Sequence, residues 1–256
     1  MKIVSAGNTN IGRKRKVNQD SFLMEPGSRL FVVADGMGGH AGGETASRVA
    51  VTTIEQEMAT ARARSKGAFD APGPLENTPL AGVLRDVVES VCAAVFHAGK
   101  ANPELEGMGT TSIALLCHAG YAVAGHVGDS RLYIARNGQL QQLSEDHSLV
   151  NEQVKAGLIT VEQARHSRFK NIITRSVGFE EDVLVDVFGV RLERGDKLLL
   201  CSDGLSNMVE DDELLEALRN EPVENVPRHL VDLANSRGGD DNITVIVVEV
   251  LEPGNA

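Results

Sequence analysis

From Thr110 the sequence carries three apolar runs, TSIALLCHAG, YAVAGHVGD and SRLYIARNGQLQQL, with only short turns between them. A parallel crossover needs a dozen or more residues, so runs this close must pair antiparallel. Asn137-Gly138, inside the third run, is a strong hairpin signal. This block commits the chain to antiparallel sheet, and the flanking segments must cover it. Upstream, residues 2–5 and 21–24 read as short strands. Ala46, Val49, Ala50, Ile54 and Met58 then recur at helical spacing, as do Leu80, Val83, Leu84, Val87, Val88, Val91 and Val95. Asn102-Pro103 ends the second helix. Between the two, residues 60–79 hold Pro72, Gly73, Pro74 and Pro79 and read as a mobile loop.

Downstream, residues 145–176 are polar and irregularly helical, a surface excursion resembling a lid. Strands resume at 183–190 and 197–201, helices follow near 210–219 and 223–235, and a last strand spans 243–250. Strands, helix pair, strands, helix pair, strand is an α+β order, with helices on the outer faces of antiparallel sheets. The chain has 256 residues, 42% of them hydrophobic, and no linker divides it, so a single domain over 1–256 is expected.

Other function classes fall away on charge and cysteine usage. A net charge of −11 argues against sequence-independent binding to nucleic acid or an anionic membrane. Cys92, Cys117 and Cys201 are odd in number and form no C-x-x-C pair, which suits a reducing compartment. MKIVSAGNTN lacks a signal-peptide core, and no apolar run approaches the ~18 residues of a membrane span. A soluble cytoplasmic protein is expected.

Four aspartates share one setting. Asp35 follows FVVA and precedes Gly36, Asp129 follows AVAGHVG, Asp203 follows KLLLCS, and Asp241 precedes Asn242 and ITVIVVEV. An aspartate at a strand end usually shapes a turn. If these strand ends converge, however, the carboxylates cannot all stay ionised without cations between them. Oxygen ligands alone select hard divalent ions such as Mg²⁺ or Mn²⁺, and the cysteine and histidine spacings offer no zinc site. Two such ions sharing Asp35 would lower the pKa of a water between them and direct it at phosphorus. Arg15, in the basic run Arg13-Lys14-Arg15-Lys16, is the candidate fork for phosphate oxygens. A rival reading takes Gly36-Met37-Gly38-Gly39-His40-Ala41 as a dinucleotide fingerprint. That reading needs a second parallel strand about 20 residues on, where this chain has a helix, and it puts a carboxylate against a pyrophosphate.

VADGMGG, MGTTSIALL, GHVGDSRLY, LSEDHS, ITRSVG, LLLCSDGLSNMV and GGDDNITVIVVEV stand in this order from about Gly12 to Val248. In that order they resemble the metal-dependent protein phosphatases of the PPM (type 2C) family, bacterial branch. The resemblance implies an α/β/β/α sandwich, two antiparallel sheets flanked by helix pairs, with a metal cleft at one end. It implies hydrolysis of phosphoserine and phosphothreonine by a water bridging two metals, Mn²⁺ or Mg²⁺, in opposition to a bacterial-type Ser/Thr kinase. By the same resemblance Asp35 is the bridging ligand, Gly36 offers its carbonyl, and Asp20, Asp203 and Asp241 complete the binuclear centre. Asp129 matches the ligand of a possible third ion, Arg15 the phosphate-binding arginine, and residues 145–176 the flap beside the cleft. Phosphoproteins are the implied partners, and a monomer is expected.

Two positions depart from the family pattern. Gln19-Asp20 stands where many members carry Glu-Asp, so one metal loses a charge from its surroundings. Met37 stands where other members place a proposed acid histidine; His40, three residues on, is the candidate to take that catalytic role, beside the reading of a histidine with no part in catalysis. His147 is expected to order the flap base, and Cys201 to pack in the core. Two rival functions remain: a binding module without turnover, and a phosphatase acting on small phosphorylated metabolites.

Overall fold

The computed structural model describes residues 1–38, 42–64, 67, 69 and 78–254. One sheet has five strands in the order β1 (Lys2–Asn10), β11 (Ile243–Glu252), β10 (Lys197–Cys201), β7 (Arg131–Arg136) and β8 (Gln139–Gln142). The other runs β2 (Asp20–Glu25), β3 (Leu30–Met37), β5 (Ser112–His118), β6 (Tyr121–Val127) and β9 (Asp186–Arg191), with β4 (Gly109–Thr110) paired to the far end of β3. Every strand pairing is antiparallel, as the short connections require. The β7–β8 turn is Asn137-Gly138, both at positive φ, +52° and +79°. That is the pairing a two-residue hairpin of this hand demands.

Strand alternation sorts side chains into three layers. On β3, Leu30, Val32 and Ala34 face the helices α1 (Gly42–Arg64) and α2 (Pro79–Ala101), packing with Ile54, Met58, Leu84 and Val88. Phe31 and Val33 point the other way, into an inter-sheet core with Ile113, Leu115, Leu198, Leu200 and Ile246. On β10 the same alternation sends Leu199 and Cys201 outward. There they meet Leu214, Leu218 and Leu230 of α6 (Asp211–Asn220) and α7 (Val226–Ser236). A strand buried on both faces has no polar side to show, so these strands read as continuous apolar runs. The result is helix pair, sheet, sheet, helix pair: the α/β/β/α sandwich that the sequence resemblance implied. Cys201 is core, and burial pushes its thiol up to about 12.

Several boundaries differ from the sequence reading. β1 runs to Asn10, because it pairs with β11 along its whole length. β3 continues past Asp35 to Met37, because Gly36 and Met37 pair with β4. Helix α1 extends to Arg64 and Pro79 opens α2, so both ends of the expected 60–79 loop are helical; most of that segment lies outside the described residues. The 145–176 excursion contains two short helices, α3 (Leu149–Lys155) and α4 (Val161–Arg165), each capped by a hydroxyl, Ser148 and Thr160. Asp203 lies beyond its strand, opening the single turn α5 (Asp203–Ser206).

Candidate active site

The two sheets open at one end into a cleft of about 570 Å³. Arg15, Gln19, Asp35, Gly36, Asp129, Asp203 and Asp241 line it from the loops and strand ends, and Asn171 and Ile173 line it from the flap. Asp35 is delivered by β3, and two threonines fix its main chain. Its N–H donates to Thr111 Oγ1 at 2.9 Å, and its carbonyl accepts from the Thr111 N–H at 2.9 Å and from Thr110 Oγ1 at 2.8 Å. Gly36 is obligatory in this packing. A Cβ there would lie 2.0 Å from the Gly43 carbonyl oxygen and 2.6 Å from that of Gln19, both backbone atoms that cannot swing aside.

Asp20 sits directly opposite Asp35 in the β2–β3 register. It is the deepest member: Oδ2 accepts from Thr244 Oγ1 at 2.6 Å and Ser202 Oγ at 2.8 Å, while Oδ1 is buried without a partner among the described residues. Asp203 repeats the pattern, with Asn207 Nδ2 on Oδ2 at 3.0 Å and Oδ1 buried and unpartnered among the described residues. Asp129 follows Gly128, where a φ of +110° and the 2.6 Å that would separate an added Cβ from Thr111 Cβ admit no side chain. His147, at the flap base, brackets the same glycine: its N–H donates to the Gly128 carbonyl at 2.9 Å and its Nδ1 accepts from the Gly128 N–H at 3.0 Å. Its Nε2 then donates to Asp186 on β9 at 3.0 Å.

The electrostatics are those of crowded carboxylates. Burial, then the charges of Asp20, Asp203, Asp129 and Asp241, holds Asp35 well above the carboxylate range. Burial likewise lifts Asp129, with Asp203 next in effect. Asp20 is pushed up to about 7, by burial first, and Asp203 to about 6, by burial and then Asp241. Arg15 faces them as a cation. Burial pulls its pKa down, but the 2.6 Å bond to Asp241 Oδ2 and the charges of Asp241, Asp203 and Asp35 outweigh that and raise it.

Unpartnered buried carboxylate oxygens and a cluster that cannot fully ionise are what a hard divalent cation relieves. Asp20, Asp35, Asp203, Asp241 and the Gly36 carbonyl therefore fit such an ion chemically. No three carboxylate, imidazole or thiolate side chains among the described residues enclose an ion alone. Water and backbone oxygen would complete the shell, which is how Mg²⁺ is commonly held.

Comparisons with known proteins agree with the fold and the cleft. Residues 7–234 match the family model described as Protein phosphatase 2C. The chain belongs to the protein phosphatase 2C family. It is a metal-dependent serine/threonine protein phosphatase. It is 38% identical over 245 residues to the serine/threonine phosphatase stp of Listeria monocytogenes, covering 94% of this chain and 93% of that one. Among solved structures it is similar to the Mycobacterium tuberculosis serine/threonine phosphatase PstP/Ppp, with a TM-score of 0.86, 33% identity and 98% and 99% of the two chains covered. It is also similar to a PstP catalytic domain in complex with two manganese ions, with a TM-score of 0.82, 35% identity and the same coverage. The phosphatase is thus divalent-metal dependent and acts on phosphoproteins. No described helix is long and apolar enough to cross a membrane.

The structure brings Arg15, Asp35, Gly36, Asp129, Asp203 and Asp241 onto one cleft, with Asp20 opposite Asp35 in the adjoining strand; His40 lies outside the described residues. Sequence reasoning missed the supports. Asn242 is 3% exposed; its Oδ1 accepts from the Gln19 N–H at 2.8 Å, and its Nδ2 donates to the carbonyls of Ile11 at 2.9 Å and Val17 at 3.0 Å. It clamps both ends of the loop bearing Arg15. Its signal was present, an asparagine directly after Asp241 at a strand start, but which backbone groups it would meet is a tertiary fact. The same holds for Thr110, Thr111, Ser202 and Thr244.

Proposed function

We infer that this phosphatase uses two Mn²⁺ or Mg²⁺ ions held by Asp35, Gly36, Asp203 and Asp241, with Asp20 behind them and Asp129 serving a third. The convergence of these carboxylates with Arg15 on one cleft carries the reading. Bound divalent ions supply charge neutralisation and a water of lowered pKa. The chain's own residues do the rest. Arg15, half exposed at the cleft rim, presents its fork to phosphate oxygens. Its present partner, Asp241, is itself a proposed ligand, so the guanidinium and the ion site would share that carboxylate. Asp35 is held in fixed register by Thr110 and Thr111, which orients the site before substrate arrives. His40 is the candidate proton donor to the leaving oxygen. A His40→Ala variant should lose rate on alkyl phosphoesters far more than on p-nitrophenyl phosphate, whose leaving group needs no proton.

The reading includes a cytosolic monomer that opposes a serine/threonine kinase. The deciding experiment is hydrolysis of a phosphothreonine peptide with Mn²⁺, with EDTA, and by Asp35→Asn in Mn²⁺. Activity that needs metal and disappears in the variant supports the assignment; activity surviving both treatments refutes it.

A further inference from the structure

A second cleft, of about 590 Å³, joins the first. Met37, Asn171 and Ile173 line both, so a chain leaving the metal cleft across these residues reaches the second directly. Its outer wall is the loop from Gly178 to Val185, which carries two large apolar side chains far into solvent, Phe179 at 66% exposure and Leu184 at 67%. Between them stand Glu180, Glu181 and Asp182. Glu181 meets His97 at 3.3 Å, but Glu180 and Asp182 have no ion-pair partner among the described residues. Large apolar side chains grouped on an exposed surface mark binding sites.

The loop is also rigidly founded. Gly178, at φ +87°, lies so close to α2 that a Cβ would approach Val95 Cγ1 to 2.2 Å. Its N–H donates to Cys92 Sγ at 3.2 Å, and that thiol donates to the Glu180 carbonyl at 3.2 Å. Val177 and Thr110 exchange backbone bonds of 3.0 and 2.8 Å, and Thr110 Oγ1 bonds the Asp35 carbonyl. The apolar wall is therefore registered to Asp35 through a short chain of backbone contacts. A surface fixed this way relative to the reacting phosphorus reads residues at a set distance from it.

We propose that this groove binds the substrate polypeptide on one side of the phosphorylated residue, with Phe179 and Leu184 receiving an apolar side chain and Glu180 and Asp182 a basic one. The preferred substrates are phosphopeptides carrying a basic and a large aliphatic residue on that flank. This rests on the phosphatase reading of the adjoining cleft and adds a substrate class to it. An exposed carboxylate contributes modestly to such recognition, whereas an aliphatic side chain leaving water for the Phe179–Leu184 wall gives the larger share.

The test is steady-state kinetics with Mn²⁺ on phosphothreonine peptides whose N-terminal or C-terminal flank is Arg-Leu, Glu-Leu or Ala-Ala, with p-nitrophenyl phosphate in parallel. On one flank, Arg-Leu is expected to exceed Ala-Ala in kcat/KM by about tenfold, mostly through KM. In Leu184→Ser and in the double variant Glu180→Gln, Asp182→Asn, the ratio of Arg-Leu peptide to p-nitrophenyl phosphate turnover should fall to near the Ala-Ala value. The double variant should also lose discrimination between Arg-Leu and Glu-Leu. Equal turnover of all peptides, or a preference that both variants retain, overturns the proposal while leaving the phosphatase reading intact. No hydrolysis of peptide or p-nitrophenyl phosphate would overturn the phosphatase reading and the proposal with it.

Discussion

Replacing Asn242 with alanine removes the clamp between the last strand and the Arg15 loop. The wild-type amide makes three bonds of 2.8 to 3.0 Å to backbone groups of Gln19, Ile11 and Val17. Each contributes about 1 kcal/mol net, and a buried group left unpaired costs about 1–3 kcal/mol. Ile11 and Val17 are 36% and 37% exposed, so water can reach their carbonyls after the change. Ser47 of α1 donates to the Gln19 carbonyl and covers that residue, so the Gln19 N–H is harder to rehydrate. A loss of about 2–3 kcal/mol follows. In a domain of this size 1 kcal/mol moves Tm by about 2–4 °C, so thermal unfolding should shift down by about 4–12 °C.

The loop between residues 11 and 17 carries Arg15, so its release should also raise KM for a phosphothreonine peptide, by about tenfold, at saturating Mn²⁺. Asn242→Asp keeps the acceptor for Gln19 but loses the donor to both carbonyls and adds a carboxylate. It should bind phosphate more weakly still. Differential scanning calorimetry and steady-state kinetics read both effects. A Tm within about 1 °C of wild type, together with an unchanged KM, would refute the clamp.

Asp35→Asn should unfold at a higher temperature than wild type in EDTA near pH 8, because it removes a buried charge crowded by Asp20, Asp203 and Asp129; adding Mn²⁺ should then stabilise wild type but not the variant, and a lower Tm in EDTA would count against the crowding argument. Gly36→Ala forces a Cβ to within 2.0 Å of the Gly43 carbonyl oxygen, so the start of α1 must move; Mn²⁺ affinity by calorimetry should fall, and an unchanged affinity would show that the Gly36 carbonyl holds no ion. His126, fully buried and stacked on His147 at 4.9 Å, is pulled down to about 4 by burial and then by His147. Its unfolded pKa is about 6.5, so the unfolded chain binds the proton more tightly, and this contribution is intact above about 6.5 and lost as pH falls toward about 4. Wild type should therefore lose stability relative to His126→Leu across that window, by up to the order of 3 kcal/mol in urea titrations; parallel curves for the two proteins would exclude it.

The sequence determined the layers and the residue types available to the candidate site. Short gaps between the runs from Thr110 to Leu143 left antiparallel pairing as the only geometry, and period-3.6 stripes at 46–58 and 80–95 supplied the helices to cover it. Asp35, Asp203 and Asp241 were readable because each stands where an apolar strand gives way to glycine or polar residues. Boundaries were less legible: strand Lys2–Asn10 is mostly half-buried and polar toward its end, and only its pairing with β11 keeps it extended. Only the tertiary structure decided that Asp20 faces Asp35 across two strands, and that Ser202 and Thr244 hold one of its oxygens while the other has no partner among the described residues. It alone decided that Arg15 meets Asp241, 226 positions away, and that Asn242 fixes the loop carrying Arg15. A sequence states which residue types are available. Which donor meets which acceptor depends on register and sheet packing, and these are set by burial summed over the whole core.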